Sequence, residues 1–390
     1  MFSIFAGMLN HNSSLFVNDK HLTILADRFL HKKFALNPIN LPAGDYADYK
    51  GWQYIYFGPM PSLVLMPFTF LFGLNFSQYY LSIASIIILF LSTYCISIKF
   101  IQSKSDSLML ANFFVFGTVF YFTSLINISS LVVQTFGVAL VTLSIVEYFS
   151  KRRWILIGLL VAAAAMTRFS LLASGLFFIL MGIHDRVGIK KLSHLILPIV
   201  AAMLLLFLYN ERRFNSFIES GYSYQTMTNT YPMSSNIKFG LFSYRHIAAN
   251  VYNLFLRGPD PLLEPGGGFV MKFPYLKANG WGLAIWFTSP LFLYLLKLKR
   301  NQYTFPVFVT VGILMLPSLF YFGIGYVQFG YRYSLDFLPF LFLILLPIFK
   351  NGLTSFAKLL IVMGIIFNGL YMFSIWDNYP VFDFFQHFIL

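Results

Sequence analysis

The chain carries 14 acidic residues in 390, and four of them, Asp19, Asp27, Asp45 and Asp48, fall in one stretch near its start. A long carboxylate-bearing loop ahead of apolar runs suggests an enzyme working at a membrane face; a plain channel gives less reason for one. Asp19 fits two roles, a general base or the N-cap of a helical pattern that begins near Lys20. Asp45 follows Pro42-Ala43-Gly44, a turn-like setting in which an acid is more often just solvated. Asp45 and Asp48 are second candidates, as ligands to a hard cation or contacts to an acceptor. His21 is placed by sequence to orient Asp19 or a substrate hydroxyl. Near the other end, Arg332 lies between Tyr331 and Tyr333. Its planar fork suits phosphate, and Arg and Tyr also anchor the ends of membrane spans. Arg168 poses the same choice between phosphate contact and structural pairing. Arg212 and Arg213 read as flanking charges or headgroup contacts. Gly266-Gly267-Gly268 is not a phosphate loop, because no Gly-Lys-Ser/Thr follows and no strand precedes it. No tight cluster of metal ligands is present, so no metal is required by the sequence; a divalent ion stays open.

The elements that must hold these residues are apolar. The composition is 58% hydrophobic, 20% aromatic and 11% charged, with mean hydropathy +0.71. Soluble domains average about 25% charged residues. The apolar runs are roughly 14–22 residues long without alternation, which favours helices over a transmembrane barrel. Net charge is +13, yet most basic clusters flank apolar runs, as the positive-inside rule requires. That reading displaces nucleic acid as a partner. The single cysteine, Cys95, lies inside an apolar run and can form no internal disulfide.

Leu22, Leu25, Ala26, Phe29 and Leu30 recur at helical spacing, with Asp27, Arg28, His31, Lys32 and Lys33 among and after them. This predicts an amphipathic helix lying on the membrane. Pro59 to Gly73 is apolar but carries Pro59, Pro61 and Pro67, and reads as an interfacial or re-entrant helix. The expected spans are Gln78–Ser97, Ser107–Leu125, Ser129–Phe149, a hairpin of two short helices over Trp154–Ile183 broken at Thr167-Arg168, Leu192–Leu208, Trp281–Leu298, Tyr303–Gly323, Tyr333–Phe349 and Phe356–Trp376. A hairpin spares Arg168 the cost of a mid-membrane position. The fold class is therefore all-α: a polytopic helical membrane protein with about ten spans from residue 78 onward. It divides into a first loop with juxtamembrane helices, 1–76, and a transmembrane domain, 77–390, that includes a second hydrophilic loop, 209–280. The basic connections place both loops outside a cytoplasmic (inner) membrane, and Asp377 to Leu390 with them. An outside first loop normally follows an outward span, and Met1–Leu9 is too short to supply one. A clipped N-terminus or a late start codon is expected.

Three segments resemble membrane-embedded glycosyltransferases of the GT-C superfamily, which includes lipid A aminoarabinose transferases and protein O-mannosyltransferases. They are Asn18-Asp19-Lys20-His21 leading into the Leu22–Leu30 helix, Tyr54-Ile55-Tyr56-Phe57-Gly58-Pro59-Met60-Pro61 ending at Leu71-Phe72-Gly73, and Gly330-Tyr331-Arg332-Tyr333 with Asp336 and Pro339. The Thr167-Arg168 hairpin and the run from Tyr209-Asn210 to Gly221-Tyr222 are also similar to bacterial members. The resemblance implies a polyprenyl-phosphate-linked sugar donor, an extracytoplasmic site and a first-loop carboxylate as base. The family typically shows an acid pair there; this chain has Asn18-Asp19, with Asn18 at the leading position. Asp19 is then the expected base and Arg332 the phosphate contact. Tyr222, Tyr224, Trp52 and Trp281 offer ring faces to a sugar, or belong to the interfacial aromatic belt. The partners implied are membrane lipid, the lipid-linked donor and a glycan, lipid or protein acceptor. The competing functions are a transporter or flippase, for which internal repeats are missing, and an assembly partner that kept the fold without the acid pair.

Overall fold

A computed structural model describes residues 19–36, 45–226, 231–264, 266, 268–325 and 328–372. Met1–Leu9, Asn18, Pro42-Ala43-Gly44 and the tail Asp377–Leu390 lie outside the described residues.

The described chain is mostly helical. Three helices are long and apolar enough to cross a membrane by length and composition: Tyr79–Phe100, Ser129–Phe149 and Ile189–Phe214. The most hydrophobic 18-residue stretch of the Ser129–Phe149 helix is 83% buried within the protein, against 44% and 28% for the other two. It is the central post, packed between the Tyr79–Phe100 and Trp154–Ala165 helices. Its hydroxyls can sit in that apolar setting because they bond inside the helix, as Thr142 does to Val138 O at 2.8 Å. The outer helices turn Ile87, Leu91, Leu197, Leu204 and Leu208 outward, each more than half exposed. Contiguous apolar surface of that kind is compatible with a membrane protein.

The apolar run from Trp154 breaks at Thr167-Arg168, between the Trp154–Ala165 helix and a 3-10 turn over Phe169–Ser174, before the Gly175–His184 helix. Four expected spans differ, one of them Tyr333–Phe349, where 3-10 turns over Arg332–Asp336 and Leu346–Phe349 flank an α-helix over Leu338–Leu345. Ser107–Leu125 splits at Gly117 into helices Lys104–Phe116 and Phe120–Leu125, and the break is close-packed, since a side chain at Gly117 would press on Phe113. Trp281–Leu298 is not one continuous helix. Its start is a strand, Trp281–Leu283, paired in parallel with Gln328–Gly330. Gly282 at φ +93 and the Ser289-Pro290 step, which lacks an N–H, break the remainder into short helical turns. The expected Leu192–Leu208 span continues through Phe214, so Tyr209 to Phe214 is helix rather than loop. Asn215, left-handed at φ 55, ends it by donating its N–H to Glu211 O at 2.8 Å.

At one end of the bundle the early segments cover the N-terminus of the Ser129–Phe149 helix. The His21–Leu30 helix buries Leu22, Leu25 and Ala26 and packs on the Met60–Phe72 helix. Between them a short hairpin pairs Ala47–Tyr49 with Trp52–Tyr54. The chain then reaches Gly58, whose N–H bonds to Thr167 O at 3.2 Å, while the Met60 N–H bonds to Met166 O at 3.1 Å. A Cβ on Gly58 would fall on the Met166 carbonyl, so only glycine permits this approach.

Candidate functional site

Four segments distant in sequence converge at the N-terminus of the Ser129–Phe149 helix. A helix start leaves N–H groups without intrahelical partners and carries partial positive charge. Here two carboxylates take them up. Asp19 accepts the Ser129 N–H at 2.7 Å, and Asp45 accepts the Ser130 N–H at 3.3 Å.

Their surroundings differ, and the difference separates their roles. Asp19 also accepts the Ser129 hydroxyl at 2.7 Å and the His21 N–H at 3.0 Å, and His21 Nδ1 lies 2.9 Å away. Of the roughly four acceptor directions on a carboxylate, these donors take three, and His21 Nδ1 stands close as an ion-pair partner without hydrogen-bond geometry. The capping role of Asp19 is thus filled twice over, at the His21–Leu30 helix and at the Ser129–Phe149 helix. Gln78, fully buried, extends the network by accepting the Leu22 N–H at 2.9 Å and donating to the Ser129 hydroxyl at 3.2 Å. Among the described residues Asp45 accepts two bonds, the second from the Tyr56 hydroxyl at 2.9 Å, and it is partly exposed.

Burial opposes charge on Asp19, but the His21 side chain, the His21 N–H and the Ser129 N–H outweigh it and hold the carboxyl below its ordinary 3.8. Burial likewise opposes charge on His21; Asp19, and Asp45 beyond it, outweigh that and raise the ring above 6.5. A raised histidine value stabilises the fold fully below pH 6.5, with the gain lost as pH climbs through the folded value. The lowered Asp19 value stabilises above pH 3.8, with the gain lost as pH falls through its folded value. The unfolding midpoint of the wild type should therefore drop with pH above 6.5 more steeply than that of His21→Gln. Parallel curves for the two proteins would remove the ion pair.

The late motif supplies cations. Gly330 ends the parallel strand at a point where a side chain would collide with Thr288 and Val119. Tyr331 is buried and its hydroxyl bonds to Asn250 Oδ1 at 3.0 Å. That fixes the turn from which Arg332 projects. The Arg332 backbone is held on both sides, by Gln328 Oε1 at 3.3 Å and by Gln134 Nε2 at 3.0 Å. Gln134 lies on the Ser129–Phe149 helix, so Arg332 is tied to the helix that holds both aspartates at its start. Among the described residues the guanidinium makes no ion pair, and its buried Nε has no hydrogen-bond partner. The Tyr333 ring lies between two arginines, with guanidinium carbons 5.6 Å (Arg332) and 5.9 Å (Arg168) from its centroid. Arg168 pairs with Asp336 Oδ2 at 3.2 Å, and Ser170 donates to the same oxygen at 2.8 Å. The other oxygen, Asp336 Oδ1, is buried and has no partner among the described residues.

Tyr222 closes the basin. The Thr226 N–H bonds to Tyr46 O at 3.3 Å and Gln225 bridges to Ala47, which lays the 222–226 turn over the first loop. The Tyr222 ring sits 4.8 Å from that of Tyr56, and its phenol interacts with the charges of Arg168, Asp45 and Asp336. Burial, partly offset by Arg168, pushes Tyr222 up to about 12. Burial and then Asp45 raise Tyr56 further, so it remains a neutral donor to Asp45.

Of the residues singled out from sequence, Asp19, His21, Asp45, Arg168, Tyr222 and Arg332 are brought to this end of the bundle. Asp48 lies on the hairpin at the same end but is exposed on its strand, with Tyr46 as the group that responds to its charge. Trp52 is 47% exposed on the neighbouring strand, Tyr224 stacks near Tyr49, and Trp281 lies in the parallel strand pair. Arg212 is exposed beside Glu211. Arg213 is buried and binds Ile55 O, Asn210 Oδ1 at 2.8 Å and the Tyr209 ring face at 3.8 Å. It is an internal clamp, not a headgroup contact. Tyr56, Tyr333 and Asp336 fall inside the motifs named above without an assigned role there, and no local pattern marks Ser170. Among the described residues no three His, Cys, Asp or Glu side chains converge as a metal site. No family model, curated protein or solved structure matches the chain.

Proposed function

We propose that this protein is a membrane-embedded glycosyltransferase that moves a sugar from a polyprenyl-phosphate donor to an acceptor hydroxyl on the extracytoplasmic side of a cytoplasmic membrane. The observation that carries the reading is the pairing of an arginine without a carboxylate partner, Arg332, with a carboxylate that keeps free acceptor capacity, Asp45, in one basin. The charge of Asp45 is among those felt at Arg332, behind burial and Tyr333. Asp45 takes the proton of the acceptor hydroxyl, whose oxygen attacks the anomeric carbon from the face opposite the phosphate. The carbon–oxygen bond to phosphate breaks, and its electron pair leaves on the lipid phosphate beside Arg332. The outcome is inversion. Asp45 is preferred to Asp19 as base because Asp19 is the more heavily engaged, accepting three hydrogen bonds and facing the His21 ring, whereas Asp45 accepts two among the described residues. The Met60–Phe72 helix carries an outward apolar groove lined by Leu30, Leu63, Met66, Pro67, Phe70 and Leu71, a surface suited to a prenyl tail.

Purified protein in lipid vesicles, given polyprenyl-phosphate hexose and an acceptor, should release polyprenyl phosphate, and Arg332→Ala should slow release by roughly 10²–10³-fold, the usual cost of one lost oxyanion contact. Transbilayer movement of intact donor without release would make the protein a flippase. Binding with neither would make it a non-catalytic assembly partner.

A further inference from the structure

Asp336 is satisfied on one side only. Its side chain is 4% exposed, Arg168 and Ser170 both donate to Oδ2, and Oδ1 meets no donor among the described residues. A buried carboxylate oxygen left without a hydrogen bond is costly, and a ligand that brings a donor to it removes that cost. The neighbouring orphan is of opposite kind. Arg332 Nε is a buried donor without an acceptor, and the Tyr333 ring packs against both guanidinium groups. The Tyr222 phenol lies within reach of the charges of Arg168 and Asp336 and supplies a further polar wall. Arg332 Nε asks for an acceptor and Asp336 Oδ1 asks for a donor. A phosphorylated polyol presents both.

Resting on the glycosyltransferase reading above, we infer that Asp336, oriented by Arg168 and Ser170, is a specificity residue that accepts a hydrogen bond from a sugar hydroxyl of the donor while Arg332 holds its phosphate. The ion pair with Arg168 neutralises Asp336, so the subsite offers an acceptor without a net negative charge. That selects a neutral hydroxyl over an ammonium group. The substrate class is a hexosyl or pentosyl phospholipid with free hydroxyls, rather than an amino sugar.

The test measures binding of three probes to the full-length protein in lipid nanodiscs: polyprenyl phosphate, its hexosyl ester and its aminopentosyl ester. Wild type should bind the hexosyl ester roughly 10–100-fold more tightly than bare polyprenyl phosphate, the range for one hydrogen bond to a charged acceptor. The aminopentosyl ester should bind less tightly than the hexosyl ester. Asp336→Asn should erase the preference while leaving the bare phosphate within about twofold, and Arg332→Ala should weaken all three. Equal binding of hexosyl ester and bare phosphate by wild type overturns the subsite alone. So does a preference that survives in Asp336→Asn, or tighter binding of the amino sugar. Failure of wild type to bind any of the three overturns the subsite together with the glycosyltransferase reading. The wild-type comparison stands even if Asp336→Asn misfolds.

Discussion

Asp45→Asn should abolish sugar transfer, lowering the rate by about 10²–10⁴-fold, the span over which a positioned general base contributes. The substitution keeps the fold. An asparagine oxygen still accepts the Ser130 N–H, and the Tyr56 hydroxyl, which can accept as well as donate, turns to take a hydrogen bond from the new amide NH2. What is lost is the ability to hold a proton. Asp19→Asn makes the contrast. Asp19 serves Ser129 and His21 with both oxygens, so its loss should lower the unfolding temperature before it touches the chemical step. Initial rates of lipid-phosphate release, measured beside thermal unfolding for both variants, separate the two residues. A wild-type rate in Asp45→Asn would remove it as base.

The largest stability loss should come from Arg213→Met. Methionine keeps most of the stem volume and the contact with the Tyr209 ring. Removing the charge also removes the cost of burying it, which works in favour of the variant. The opposing term is larger. Ile55 O and Asn210 Oδ1 lose their common donor in a buried setting, at about 1–3 kcal/mol each, for a net loss on the order of 2–5 kcal/mol. Arg213 also reaches Ser220 O at 3.5 Å, so the same change frees the turn that carries Tyr222. Thermal unfolding in detergent should fall by several degrees, and proteolysis should open the 217–226 turn. An unchanged midpoint would mean that the clamp carries no weight.

Much of the framework could be read from local rules. The break at Thr167-Arg168 follows from one arginine inside a long apolar run, where continuing the helix is expensive. The His21–Leu30 helix follows from its three-and-four spacing. The Arg332 motif drew attention through its flanking tyrosines. Readings failed where the deciding partner lay far away in sequence. On the proposed reading, the preference for Asp45 rests on the Ser130 N–H, 85 residues on, and on the two bonds by which Ser129 engages Asp19 from 110 residues off. Arg213 looks like any arginine at a span end until Ile55, 158 residues earlier, is seen to need its donor. Trp281–Leu298 matches a span in hydropathy, and its strand emerges only with Gln328–Gly330 beside it.

The two main-chain bonds from Gly58 and Met60 to Thr167 and Met166 have a mechanical consequence. Arg168 is the next residue along one chain segment, and Tyr56, which holds Asp45, is two residues back along the other. Cation and carboxylate therefore hang from opposite ends of a single splice. Any movement of Arg168 that drags its backbone must pass through that splice to the Tyr56 phenol and on to the Asp45 carboxylate. On the proposed reading, the ion pair that orients Asp336 and the aim of Asp45 are geared together, and loosening the splice should uncouple sugar recognition from acceptor activation without touching either charge.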